Sequence, residues 1–330
     1  MKERKSKMFR VSDGLHVINI ECTFGLLKRI ENVMEGYIVT DSDIEKKEEE
    51  FILKISHVEK NMFTCSNLHE RELHCKKRGF VYREGKKNIT IYNATDNVKI
   101  VVQDDMNISI CGDSNNQEFI CECVRLIRVC FEIYLLKKGY SKMHMCVLSK
   151  KGLNIGIVGD SGSGKTTMLL ELVKRGFDIC TNDKVLINSN NICYGICQKI
   201  GILDFTMEKF CIDLCEANRI GKKYYYWPIE LAHKFRVKIN NCCVINKILE
   251  VNYQNTDCVE ITKIKSADYK RKIYDDAIRK YTDISCMNLV RDLIIRNNKI
   301  KLNYCYTIYD SLEKLPWYNI SGEFEKIAME

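Results

Sequence analysis

Short apolar segments, several of them alternating with polar residues, fill residues 8–112 between turns. Phe51–Ile55, Asn88–Tyr92, Val98–Val102 and Asn107–Ile110 each carry a strand pattern. One helical spacing, over Thr23–Val33, interrupts them. Together they predict a β-rich N-terminal domain over 1–115. Residues 117–138 then show the clearest helical period in the chain. Glu118, Glu122, Arg125, Arg128 and Glu132 fall three or four apart on one face. Phe119, Val124, Ile127, Phe131 and Leu135 lie elsewhere around the helix. Charges of both signs mark it as a helix docked on a core rather than lying on a membrane. It is expected to be a connecting element over 116–139.

Residues 140–330 mix strand and helix patterns and are expected to form a second, α/β domain. Cys146–Ser149 and Asn154–Val158 predict a hairpin around Lys150-Lys151-Gly152. Phe177–Cys180, Lys184–Ile187 and Lys199–Phe205 predict further strands. Helices are expected at 266–282 and 284–297, and a late strand around Tyr304–Tyr309.

Composition narrows the class. The chain has 330 residues, 45% hydrophobic and 29% charged, which fits a globular protein of one large or two modest domains. No apolar run reaches the length of a membrane span. The basic stretch Met1–Lys7 is followed by no signal-peptide core, so a cytoplasmic protein without membrane contact is expected. The net charge of +8 is scattered among acidic residues, as in Glu45–Glu50, and not striped as on a nucleic-acid surface. No nucleic-acid partner is expected. Most of the 18 cysteines are expected to be buried, reduced thiols. Cys121/Cys123, Cys193/Cys197, Cys211/Cys215 and the adjacent Cys242 and Cys243 do not have zinc-ligand spacing.

The chemistry is concentrated in Gly159-Asp160-Ser161-Gly162-Ser163-Gly164-Lys165-Thr166-Thr167. The stretch matches G-x-x-x-x-G-K-[ST], a phosphate-binding loop. Its backbone N–H groups point at the α- and β-phosphates, and its glycines let the backbone close around them. Lys165 reaches the β- and γ-phosphates, and the Thr166 hydroxyl can ligate Mg²⁺. The apolar run Asn154–Val158 leads in, and helical spacing follows from Met168 to Arg175, stopped by Gly176. Such a loop needs a second acidic group for metal or proton, and Asp183 in Thr181-Asn182-Asp183-Lys184 is the candidate.

These residues resemble HPr kinase, the bacterial serine kinase whose P-loop is related to that of phosphoenolpyruvate carboxykinase. Gly159–Thr166 is similar to that family's G-D-S-G-x-G-K-S. Glu171-Leu172-Val173-Lys174-Arg175-Gly176 looks like its E-L-[IV]-x-R-G. Met143-His144 stands where the family has S-M-H-G, at the same offset from the loop. The resemblance implies an HPr-kinase-like α/β fold, ATP and Mg²⁺, and a phosphoryl acceptor that is a serine of a peptide or protein. It implies His144, Asp183 and Lys165 as active-site residues, with Thr166 and Asp183 at the metal. Family enzymes are often oligomeric, and no self-association feature is readable in this chain.

The resemblance covers about residues 143–187. The family has an Asp-Asp pair where this chain has Asn182-Asp183. Its E-x-R-G-L-G-I-I segment corresponds at best to Ile196–Leu203, which lacks the glutamate and arginine. Asp204 is a candidate substitute for the acid that Asn182 replaces. This pattern looks like the divergent members, several of which accompany modified-peptide biosynthesis and phosphorylate a peptide serine. Divergent relatives also often have an aromatic-Pro-x-Glu segment, as in Lys222–Glu230, which reads either as a substrate loop or as a loop packed on the core. Three functions stay open: a peptide or protein serine kinase, a nucleotide-dependent binding or scaffold protein without transfer, and a small-molecule kinase for a serine-type acceptor.

Overall fold

The computed structural model describes residues 6–40, 51–57, 71–75, 78–84, 89–93, 98–103, 107–213, 219–254, 256, 258–279, 290–292, 294–295 and 306–326. The fold is mixed α/β. It divides into two compact units, one of Met1–Lys137 with Asp283–Lys301, the other of Lys138–Thr282 with Leu302–Glu330. The helix expected as a separate connector therefore belongs to the first unit, together with a segment from far along the chain.

In the first unit, β1 (Lys7–Ser12), β2 (Val17–Cys22), α1 (Phe24–Val33), β3 (Val39–Thr40) and β4 (Phe51–His57) are followed by β5 (Arg71–Cys75) and β6 (Arg78–Glu84). Next come β7 (Ile89–Asn93), β8 (Val98–Val102), β9 (Asn107–Gly112) and α2 (Gln117–Lys137). The nine strands form one sheet in the order β3-β1-β2-β4-β9-β8-β7-β6-β5. Period-two burial drives it: Phe51, Leu53 and Ile55 are buried on β4, and Val98, Ile100 and Val102 on β8. Thr23 caps α1 by accepting from the Leu26 amide.

Helix α2 is buried far beyond one stripe. Six successive residues, Phe119–Val124, are buried. The acidic positions that suggested a solvated face include Glu122 and Glu132, exposed by only 3% and 4%. Buried carboxylates need partners. Glu122 pairs with Arg125, one helical turn on. Glu132 pairs with Arg291 at 3.1 Å, which holds the 290–295 segment to this unit. Tyr134 Oη donates to the Val17 carbonyl and accepts from the Phe51 amide, fixing the helix to β2 and β4.

The second unit opens with β10 (Ser141–His144), β11 (Cys146–Lys150), β12 (Leu153–Val158), α3 (Lys165–Lys174), β13 (Asp178–Thr181) and β14 (Lys184–Ile187). It continues through β15 (Ile192–Gly195), β16 (Ile200–Leu203), α4 (Asp204–Lys209), β17 (Arg219–Ile220), β18 (Lys223–Tyr226) and α5 (Pro228–Phe235). Last are β19 (Cys242–Val244), β20 (Lys247–Tyr253), β21 (Val259–Lys263), α6 (Ala267–Arg279), α7 (Tyr306–Glu313) and β22 (Trp317–Gly322), then a 3₁₀ turn at Phe324–Lys326. Three sheets result, ordered β13-β11-β12-β20-β22-β21, β10-β14-β15-β19 and β16-β18-β17. Strand β12 lies between its hairpin partner β11 and the parallel β20. The β11–β12 turn has positive φ at both Lys151 and Gly152, the geometry a two-residue hairpin turn demands.

Two expectations are corrected here. The strand expected over Lys199–Phe205 stops at Leu203, and Asp204 opens α4. The late strand expected around Tyr304–Tyr309 is instead helical from Tyr306 to Glu313. Ile308, Tyr309 and Leu312 are buried together on one helical face. A six-residue aromatic run has too little length to separate that spacing from alternation. The strand is Trp317–Gly322, parallel to β20. Ala267–Arg279 is helical as expected. Of the helix expected at 284–297, residues 290–292 and 294–295 are described and helical, and the remainder lies outside the described residues. No helix among the described residues is long and apolar enough to cross a membrane.

Candidate functional site

The second unit builds a cleft where β12 gives way to α3. Gly159 has φ of 146°, and a Cβ there would lie 2.8 Å from the Val251 carbonyl on β20. Gly164, with φ of 92°, would carry a Cβ 2.5 Å from that of Tyr253 and 3.0 Å from the Phe324 ring. Only glycine allows both the left-handed backbone and this approach. The loop is held on β20 by the Tyr253 amide, which donates to the Ser163 carbonyl at 2.8 Å. Gly164 is also the N-cap of α3 and supplies no side-chain acceptor, so the positive end of the helix faces the cleft without a side-chain cap. Lys165 Nζ donates back to the carbonyls of Gly159 and Asp160, at 2.9 and 2.8 Å. A Gly164→Ala variant is expected to lose about 2–3 kcal/mol of stability, from the backbone penalty plus the forced shift of Tyr253. Chemical denaturation measures this, and an unchanged midpoint would show that the loop relaxes freely.

Facing the loop across the cleft is the β13–β14 turn. Asp183 Oδ1 lies 2.9 Å from His144 Nδ1, and Asp183 Oδ2 accepts from Gln198 Nε2 at 3.1 Å. The first contact follows from sheet register, because His144 ends β10 opposite Lys184 on β14. The Met145 amide also donates to the Asp183 carbonyl at 3.1 Å. Burial works to raise the Asp183 pKa; His144, Lys184 and Gln198 outweigh it and hold the carboxyl below its ordinary 3.8.

A carboxylate whose folded pKa is depressed contributes stability that is present above the unfolded value and lost as pH falls through the folded one. The stability gap between the wild type and Asp183→Asn is therefore expected to close in acid, as pH falls below about 4 through the depressed Asp183 pKa. Thermal melts across pH check this. A gap that closes around neutrality would mean that Asp183 is not held ionised by these partners.

The cleft has a volume of ≈ 290 Å³, near the lower end of small-ligand sites. It is lined by Ser161, Gly162, Gly164, Lys165, Thr166 and Thr167 from the loop side, and by His144, Asn182 and Asp183 opposite. Gly159 and Asp160 line an adjoining cleft of ≈ 150 Å³, which His144 shares. Ser163 lies beneath the loop, its hydroxyl buried without a hydrogen-bond partner. Asn182 Oδ1 is likewise buried and without one. Asp204 does not line the cleft; it sits exposed at the start of α4, 3.8 Å from Arg219. Glu171 and Arg175 face away from it. Glu171 is buried beside Lys209, and Arg175 donates to the carbonyls of Phe324 and Glu325.

Several lining residues come from stretches that sequence reasoning named only as whole segments, and Glu250 from one it did not name. On β18, Lys223 and Tyr225 line the cleft, while Tyr224 and Tyr226 are buried on the other face. Lys-Tyr-Tyr-Tyr thus splits by strand parity between site and core. The packed reading of the aromatic segment holds for Tyr224 and Tyr226, while Lys223 and Tyr225 face the cleft. Gln198 and Lys199 join from the neighbouring turn, with Lys199 over the Trp227 ring at 5.2 Å. Glu250 lines the smaller cleft. It is opposite Val158 in the parallel β12–β20 pair, level with the start of the loop. Its carboxylate accepts from Tyr269 Oη at 3.1 Å and from Asn319 Nδ2 at 2.7 Å. Nothing local in Lys247–Tyr253 marks Glu250; only register brings it to the loop.

No family model matches the chain. Among curated proteins, it is similar to the ABC transporter B family member 3 of Dictyostelium discoideum, 35% identical over 78 residues. That alignment takes in 22% of this chain and 5% of the transporter.

Proposed function

We propose that the protein is an ATP-dependent phosphotransferase of HPr-kinase-like fold, transferring the γ-phosphoryl group to the hydroxyl of a peptide or protein serine. One observation carries the reading: Asp183, held ionised by His144 and Gln198, faces the uncapped N-terminus of α3 across the same cleft as Lys165 and Thr166. A phosphate-binding loop alone would suit any nucleotide protein. A carboxylate opposite it is what phosphoryl transfer to a hydroxyl requires.

The residues fit the groups this reading needs. The N-terminus of α3, which carries no side-chain cap, and the Lys165 ammonium, now bound to the loop's own carbonyls, suit a polyphosphate. The Thr166 hydroxyl and the Asp183 carboxylate are oxygen donors of the kind Mg²⁺ takes. When bound, Mg²⁺ neutralises charge on the β- and γ-phosphates. Lys165 and the loop amides stabilise charge on the γ-phosphoryl oxygens as the bond to the β-phosphate oxygen breaks. Asp183 accepts a hydrogen bond from the acceptor hydroxyl and orients it in line. With its depressed pKa it is a weak base at rest, so it takes the proton late, as the new O–P bond forms. ADP leaves. His144 fixes the carboxylate's orientation.

Asn182 favours a second reading. An amide lines the cleft where the resembling family has an acid. In that reading the protein binds nucleotide and a partner without transfer. The deciding experiment incubates the protein with γ-labelled ATP, Mg²⁺ and a size-fractionated cell extract. Label in a peptide or protein fraction supports the kinase. Label in a small metabolite replaces the acceptor with a free serine-type compound. ATP binding with neither transfer nor phosphate release favours the binding protein.

A further inference from the structure

Behind the turn that carries Asp183, three cysteines from three strands converge. Cys180 lies on β13, Cys193 on β15 and Cys243 on β19. Their Sγ atoms all lie within 4.8 Å of one another, and Cys193 and Cys243, opposite each other in the β15–β19 pair, are 3.4 Å apart. Cys180 and Cys193 are fully buried and Cys243 is 9% exposed. No other group of three or more His, Cys, Asp or Glu ligand atoms comes this close among the described residues. The approach has a backbone cause. A Cβ on Gly195 would lie 2.0 Å from the Cys180 carbonyl oxygen and 3.1 Å from its Sγ, so glycine there lets β13 and β15 meet.

We propose that Cys180, Cys193 and Cys243 form a three-coordinate site for a thiophilic metal ion of the Cu(I) class. Three sulfurs around one ion at a metal–thiolate bond of about 2.3 Å stand about 4.0 Å apart. The observed triangle, with its Cys193–Cys243 edge at 3.4 Å and no edge above 4.8 Å, is of that size. Structural zinc takes a fourth donor. Here no His or carboxylate joins the trio, and the surrounding core is apolar, with Val147, Val185, Ile187 and Ile245. Met143 and Met145 belong to the same buried cluster, and thioether sulfur suits Cu(I). Buried cysteines ordinarily act as small apolar side chains. Three thiols in mutual contact, drawn from both larger sheets of the unit, also form a soft donor set. Each thiol that becomes a ligand releases its proton to solvent, and the ion stays Cu(I) throughout. Cys180 is three residues before Asp183, so a bound ion would tie the turn bearing that carboxylate to β15 and β19.

The test uses the full chain, reduced and anaerobic, with Cu(I) delivered as its bicinchoninate complex so that scattered single thiols are outcompeted. One equivalent is expected to be retained, with three sulfur neighbours and no nitrogen or oxygen by X-ray absorption. Cys180→Ser and Cys193→Ser are each expected to weaken retention at least as much as loss of an outer-shell partner does, about 10–100-fold. Exposed Cys211→Ser is expected to leave it unchanged. Two sulfur neighbours, no retained copper, preferential retention of Zn(II), or a Cys193–Cys243 disulfide in freshly isolated protein would each overturn the proposal. The absorption measurement needs only the wild type, so it decides the matter even where a serine variant fails to fold.

Discussion

Phosphoryl transfer by Lys165→Ala is expected to fall about 10²–10³-fold or more, with little change in stability. The ammonium is the positive side chain at the mouth of the loop, and charge on the γ-phosphoryl oxygens grows as the transferring bond breaks. On the proposed reading, removing a preorganised positive group from that position is expected to raise the barrier, because water would not replace it beside a bound triphosphate. Folding should tolerate the loss. Lys165 donates to two loop carbonyls, of which the Asp160 bond is exposed, and water can take the ammonium's place there. Lys165→Arg is not expected to restore transfer, since a planar fork does not replace a compact ammonium reaching into the loop. Initial rates with labelled ATP and a thermal melt check both halves. Undiminished transfer by the folded variant would mean that the triphosphate does not sit on this loop.

Asp183→Asn is expected to reduce transfer by about 10²–10⁴-fold, the range for loss of a positioned general base. The isostere keeps the turn but removes the charge that His144 and Gln198 both address. A side-chain amide offers one acceptor and one donor in place of two acceptors, so it can accept from Gln198 and keep the second contact only with His144 Nδ1 as acceptor. The expected stability loss is about 1 kcal/mol, discounted because Asp183 and His144 are each partly exposed. The position of Asn182 permits a sharper version. In Asn182→Asp/Asp183→Asn a carboxylate returns to the same cleft, one residue away. Partial recovery would show that the reaction needs an acid in this turn; no recovery would place the requirement on the atoms that His144 holds. Full activity in the single variant would remove Asp183 from the reaction.

Legibility differed between elements for identifiable reasons. The loop was readable because nine consecutive residues carry it, and the hairpin before it because Lys151-Gly152 dictates its own turn. His144 and Asp183 could be named, but that they touch depends on the β10–β14 register. The charged face of α2 suggested exposure on one side, whereas Glu132 is buried because Arg291, about 160 residues away, reaches it. Asp204 was a candidate because Asn182 stands where the resembling family has an acid. Once α4 begins at Asp204, its side chain leaves the cleft.

The sequence by itself determined the phosphate loop, its leading strand and following helix, and four of the nine strands of the first unit. All of these are set by backbone preference and periodicity within a dozen residues. Tertiary structure alone decided which side chains share the cleft: Gln198, Lys199, Lys223 and Tyr225 beside Asp183, and Glu250 level with Gly159. It also brought together Cys180, Cys193 and Cys243, whose spacing along the chain resembles no ligand motif. The physical reason is the same in each case. Strand pairing fixes neighbours by register across tens of residues, and a shift of one position would turn Lys223, Tyr225, Glu250 and the three cysteines to the opposite face of their strands.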